Sequence, residues 1–179
     1  KLIYERKDLP TWFVGGSVTE DGKYLLVFLS KGADNNNRLY YADLGDPRQP
    51  NVQAHIAPVV ETDDAEYGAF GNSGSTIFMR SDKNAPNRKI VSVDLKDLRP
   101  ASWKTVVPEG KNAIESVSLV GGRLVLQYLV AVQSRVRFFS VTGAPEGELA
   151  LPGVGTVGGI SGRQDSPELF YSYTSPLYP

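Results

Sequence analysis

The 179-residue sequence predicts an all-β protein, a partial β-propeller of about three and a half four-stranded blades. Three observations carry that prediction. Gly (18) and Pro (12) punctuate short apolar runs, and no long window holds a helical period. Tight-turn signals recur at Asp21-Gly22, Ser73-Gly74 and Gly121-Gly122, so that Gly22, Gly74 and Gly122 stand 52 and 48 residues apart. A second mark keeps the same period: Arg38, Arg88 and Arg135 are 50 and 47 residues apart.

The opening residues 1–6 read as the outer strand of a preceding blade. Residues 12–61 form the first full blade, 66–107 the second and 114–151 the third. A fourth begins at 155 and stops after its second strand, 169–173. Each glycine turn leads into an apolar strand, at 23–29, 76–80 and 123–130. A polar loop and an Arg-led strand follow, at 38–44, 88–95 and 135–142. In Tyr24-Leu25-Leu26-Val27-Phe28-Leu29 both alternating faces are apolar. A strand with water on one side alternates with polar residues, so this run has protein on both faces. An open stack exposes apolar end faces, which implies further blades in the parent chain or a partner. Both ends read as cuts: Lys1 is not a translation start, and residues 173–179 stop without a closing element.

Composition excludes several function classes. Lys and Arg total 19 against 20 Asp and Glu, a net charge of −1, which gives no field for nucleic acid or an anionic membrane. No 18-residue apolar run is present. Hydrophobic residues make up 41%, too many for a disordered chain. Without cysteine there is no disulfide, thiolate zinc site or thiol nucleophile. The single histidine, His55, falls in an expected outer strand at 52–60 and has no nucleophile or orienting partner.

Other motifs reduce to structure. Gly153-Val154-Gly155-Thr156-Val157-Gly158 has the letters of a dinucleotide loop, but no helix starts after it, and it reads as a Gly-rich lead into an inner strand. Gly71-Asn72-Ser73-Gly74-Ser75 lacks the last glycine of a nucleophile elbow and sits at a repeat turn. Glu61, Asp63, Asp64 and Glu66, and the run 34–37, lack calcium-loop spacing and read as solvated connections. The three in-phase arginines are expected to pair with nearby aspartates such as Asp43 and Asp94. No catalytic residue, metal or cofactor is expected on this chain.

With the repeat in hand, the blade-one wording matters. The run Trp12-Phe13-Val14-Gly15-Gly16-Ser17-Val18-Thr19-Glu20-Asp21-Gly22-Lys23-Tyr24, then Ser30-Lys31-Gly32-Ala33-Asp34 and Asn37-Arg38-Leu39-Tyr40-Tyr41-Ala42-Asp43-Leu44, resembles the propeller of the prolyl oligopeptidase family of serine peptidases. Pro86-Asn87-Arg88, Ser102-Trp103-Lys104 and Val107-Pro108-Glu109 continue it. So do Gly159-Ile160-Ser161-Gly162 and Phe170-Tyr171-Ser172-Tyr173-Thr174-Ser175. The resemblance implies a seven-bladed propeller that gates access of short peptides to an α/β-hydrolase domain cleaving after proline. That domain and the remaining blades would be the partners, with short proline-containing peptides as ligands and the triad elsewhere in the parent. It further implies that Phe13 and Ala33 face the outer substrate pocket as apolar lining. Phe13 reads equally well as blade core beside Trp12. A cytoplasmic location is favoured over a periplasmic one. The alternatives are a non-enzymatic propeller scaffold for protein or peptide binding, and a peptidase of the wider group with another specificity.

Overall fold

A computed structural model describes residues 2–176 and divides the chain into two compact units, Lys1–Gly68 and Ala69–Pro179. The fold is all-β, a partial β-propeller built of antiparallel meanders.

In the first unit, β1 (Trp12–Val18), β2 (Tyr24–Lys31), β3 (Asn37–Asp43) and β4 (Ala57–Val60) pair in chain order. The β1–β2 turn is held by Thr19, whose hydroxyl accepts from the Tyr24 amide at 3.0 Å and donates to Asp21 at 2.7 Å. Both faces of the middle strands are covered: Leu26, Val27, Leu29, Leu39, Tyr40 and Ala42 are all buried. One face carries Val27, Leu29 and Tyr40, with Tyr4, Leu9, Trp12 and Ile56 packed on them. Each of the fully buried aliphatics contributes about 1.5–3 kcal/mol relative to exposure.

Two expectations fail here. Residues 2–6 form no strand; the segment packs through side chains instead, with the Tyr4 ring 6.1 Å from that of Tyr40 and Arg6 donating to the Tyr40 hydroxyl at 3.0 Å. The outer strand is β4 alone rather than 52–60. Asn51 accepts from the Gln53 amide at 3.1 Å and turns the chain, so exposed His55 lies in a connection.

The second sheet is β5 (Tyr67–Ser73), β6 (Thr76–Ser81), β7 (Lys89–Asp94) and β8 (Lys104–Val107), with a 3-10 turn at Pro100–Ser102 before β8. The third is β9 (Ile114–Val120), β10 (Arg123–Val130), β11 (Gln133–Ser140) and β12 (Pro145–Glu148), and β13 (Thr156–Gly162) pairs with β14 (Leu169–Thr174). Within the second unit, Phe78, Ile90 and Val107 pack against Ile114, Leu119, Leu124, Leu126 and Tyr128. On the opposite face of β10, Val125 joins Val120, Val136 and Val157. Both faces of β10 are therefore packed over 124–126, whereas Leu129 near its end is 47% exposed.

A strap closes this unit. The carbonyls of Arg163 and Gln164 accept from the Gly121 and Gly122 amides at 2.9 and 3.0 Å. The Gln164 side chain accepts from the Asn72 amide at 2.9 Å. Strap and turn meet closely: a Cβ on Gly121 would lie 3.0 Å from the Pro167 Cα.

The Arg-led strands need correction. β3 begins at Asn37 and β11 at Gln133, and Arg88 stands before β7 at φ 68°. The link between β10 and β11 is not a polar loop but the two-residue hairpin Ala131-Val132, with φ 48° and 65°. Residues 153–155 lead straight into β13, which takes in 156–158, and Ser73 ends a strand that turns into another strand.

A candidate substrate-facing edge on the first sheet

The site is built by strand alternation. Trp12 and Phe13 are consecutive in β1, so they project to opposite faces. Trp12 goes to the cluster with Val27, Leu29 and Tyr40. Phe13 goes to the other face and is 66% exposed, so it is not core in this unit. Its partner across the ladder is Ser30. Ala33 lies three residues beyond Ser30, exposed in the turn that leaves β2. Phe13 and Ala33 therefore occupy the same end of the sheet.

That end is tied down by polar contacts. Asp34 accepts from the Asn36 amide at 3.1 Å, and the Asn36 side chain donates to the Asp63 carbonyl at 3.1 Å. Arg38 reaches the Asp63 carboxylate at 3.5 Å and lays its guanidinium 4.6 Å from the centre of the Trp12 ring. Nearby, the Arg6 guanidinium grips Asp8 through two bonds of 2.8 and 2.6 Å and holds its carboxyl down at about 2. The edge offers apolar contact from Phe13 and a rigid frame. Among the described residues no group of His, Cys, Asp or Glu could hold a metal ion.

The acidic cluster is connective, as its composition implies: Asp64 accepts from Thr62 at 3.1 Å and from the Tyr67 hydroxyl at 3.0 Å. The arginines do not pair with Asp43 and Asp94, which instead accept from the amides of Gly45 and Lys96 at 2.9 and 3.0 Å. Arg88 donates to the Ile114 carbonyl at 3.2 Å and Arg135 to Glu148 at 3.0 Å.

Sequence reasoning missed a repeated latch beside those arginines. The Asn37 side chain accepts from the Tyr67 amide at 2.7 Å and donates to its carbonyl at 3.1 Å. The Ser134 hydroxyl accepts from the Val157 amide at 2.9 Å, and Gln127 donates to the Val157 carbonyl at 2.8 Å. Between them in sequence, the Ile114 amide donates to the Asn87 carbonyl at 3.0 Å. Asn37, Asn87 and Ser134 each immediately precede an in-phase arginine, Asn37 and Ser134 latching through their side chains and Asn87 through its backbone carbonyl. The signal was present as Asn-Arg, Asn-Arg and Ser-Arg at one period.

These sheets, their period and their latches define a segment of a β-propeller. The family model described as prolyl oligopeptidase, N-terminal β-propeller domain, matches residues 1–179, and the chain belongs to that family. It is 32% identical to the prolyl endopeptidase of Elizabethkingia miricola over its whole length, covering 24% of that protein. A solved structure from a mechanistic study of two prolyl endopeptidases superposes with a TM-score of 0.91 at 31% identity, over 98% of this chain and 25% of that one. Prolyl oligopeptidase B from Galerina marginata, bound to a 25mer macrocyclization substrate, superposes at 0.86 and 27% identity, over 96% of this chain and 24% of that one. The chain thus spans about a quarter of the length of these relatives.

Proposed function

We propose that the chain is the propeller segment of a prolyl oligopeptidase-type serine endopeptidase. It gates access of short peptides to an α/β-hydrolase domain that cleaves after proline. Residues 12–61, 66–107, 114–151 and 155–179 are blades of one propeller domain, and the nucleophile and its base belong to the hydrolase domain of the parent. The observation that carries this reading is the family match along the whole chain.

Phe13 and Ala33 line the outer substrate pocket. Support for Phe13 comes from its 66% exposure beside an anchored Trp12, which leaves an aromatic free for apolar contact. The test is hydrolysis of short peptides by the parent enzyme, with a serine-reactive inhibitor as control. Cleavage after proline, abolished by the inhibitor, is expected. Phe13→Ala is expected to raise KM about tenfold for peptides with a bulky apolar residue before the proline, with kcat retained. A parent without inhibitor-sensitive cleavage after proline refutes the reading and favours a scaffold.

A further inference from the structure

The three in-phase arginines are not equivalent. Arg88 donates to the Ile114 backbone and Arg135 to Glu148. Arg38 has a single acceptor among the described residues, Asp63 at the outer limit of 3.5 Å, and its Nε is buried without a partner. That single long contact with Asp63 leaves the orientation of the Arg38 guanidinium only partly fixed. Stacking supplies the rest, since the group lies 4.6 Å from the Trp12 ring centre.

The position of that ring matters because β1 is an edge strand, paired to β2 alone. Trp12 is the first residue of its ladder, opposite Lys31. Arg38, on β3, faces Leu29 of β2, so its side chain crosses β2 to reach the ring. It clamps the start of β1 from two strands away. Phe13 is the next residue and points the other way, so the backbone orientation that the Trp12 stack holds at the start of β1 also sets the direction of Phe13.

We propose that Arg38 is a positioning residue: by stacking on Trp12 it sets the direction of Phe13 and so the selectivity for residues N-terminal to the proline. The proposal rests on the reading of Phe13 as a substrate contact. The test uses the full parent enzyme and two peptides, one with alanine and one with a bulky apolar residue before the proline. Arg38→Met, Arg38→Lys, Phe13→Ala and the Met/Ala double variant are compared, each with its melting temperature.

Arg38→Met is expected to raise KM about threefold for the bulky peptide only, with kcat unchanged. Arg38→Lys keeps the cation but not the planar stack, and should fall between wild type and Arg38→Met. The double variant should be no worse than Phe13→Ala, because both act on one contact. An unchanged KM in Arg38→Met, equal losses on both peptides, or multiplied losses in the double variant would each overturn the proposal. If Phe13→Ala preserves the preference for the bulky peptide, the pocket reading falls and this inference with it. If Phe13→Ala removes the preference and Arg38→Met does not, only this inference falls.

Discussion

The β10–β11 hairpin is built against its own chemistry, and replacing two residues should stabilise the protein. A two-residue hairpin with both central residues at positive φ strongly prefers Asn-Gly. Here the pair is Ala131 at 48° and Val132 at 65°, closed by Val130 opposite Gln133. The left-handed region costs an L-residue about 1–2 kcal/mol, and a β-branched residue sits at the upper end. Val132 is 86% exposed, so removing its side chain forfeits only a few tenths of a kcal/mol of burial, about a seventh of a full valine. Glycine returns about 0.5–1 kcal/mol as lost chain entropy. Relief at both positions leaves a net gain of about 1–1.5 kcal/mol for Ala131→Asn/Val132→Gly. For a chain of this length that is about 2–6 °C in melting temperature. Thermal unfolding followed by circular dichroism measures it, with Val132→Ala as control, since alanine keeps the left-handed strain. A double variant that melts at or below wild type, or a control that gains as much, would show that strain at the hairpin is not what the dihedral angles imply.

Other outcomes follow from the same structure. Asn37→Ala removes both bonds to the buried Tyr67 backbone and should cost about 2–4 kcal/mol in urea unfolding. Gly143→Ala places a Cβ against the Val106 carbonyl at φ 92° and should lower the melting temperature by several degrees, more than any surface Gly→Ala change. Leu126→Ala empties a fully buried site on β10, with an expected loss of about 2–5 kcal/mol. Acid stability depends on carboxylates whose folded values are depressed, Asp8 from 3.8 to about 2 by Arg6, with Asp46 and Asp165 lowered by Arg48 and Arg163. Their contribution is present above the unfolded value and lost as pH falls through the folded one. The melting temperature should therefore be level from neutral pH down to about 5 and drop below about 4, less steeply in high salt because the pairs are exposed. A transition centred near pH 6 would rule these aspartates out as its cause.

The fold was legible where two-sided apolar strands met glycine turns at one period. The strand expected at 123–130 is β10 to the residue. Strand limits blurred where local polar bonds outcompeted the ladder, as Asn51 does before β4. The Ala131-Val132 hairpin was hidden because its residues are ordinarily poor at that turn, and sequence preference reports what is cheap, not what packing enforces. At the candidate edge, strand alternation puts Trp12 and Phe13 on opposite faces but does not say which face is covered, so in sequence Phe13 reads equally well as pocket lining or as blade core. The covering residues Tyr4 and Leu9 lie in a segment with no periodic signal. The latches carry no charge or apolar-period signal of their own, because Asn37 and Ser134 are small polar residues whose buried bonds reach backbone groups 30 and 23 residues away.

The strap at 163–167 changes how the second unit comes apart. The latch and neighbour-to-neighbour bonds join residues only 23 and 26 apart in sequence, as in Ser134–Val157 and Arg88–Ile114. A stack held by such bonds alone behaves as a row of near neighbours and frays sheet by sheet from its ends. Gln164 reaches 92 residues back to Asn72 while its loop also carries the β9–β10 turn. Opening the β5 end or the β9–β10 turn then also breaks a bond to the strap. The strap converts a fraying series into a single melting block, so Gln164→Ala should broaden the unfolding transition more than it lowers its midpoint.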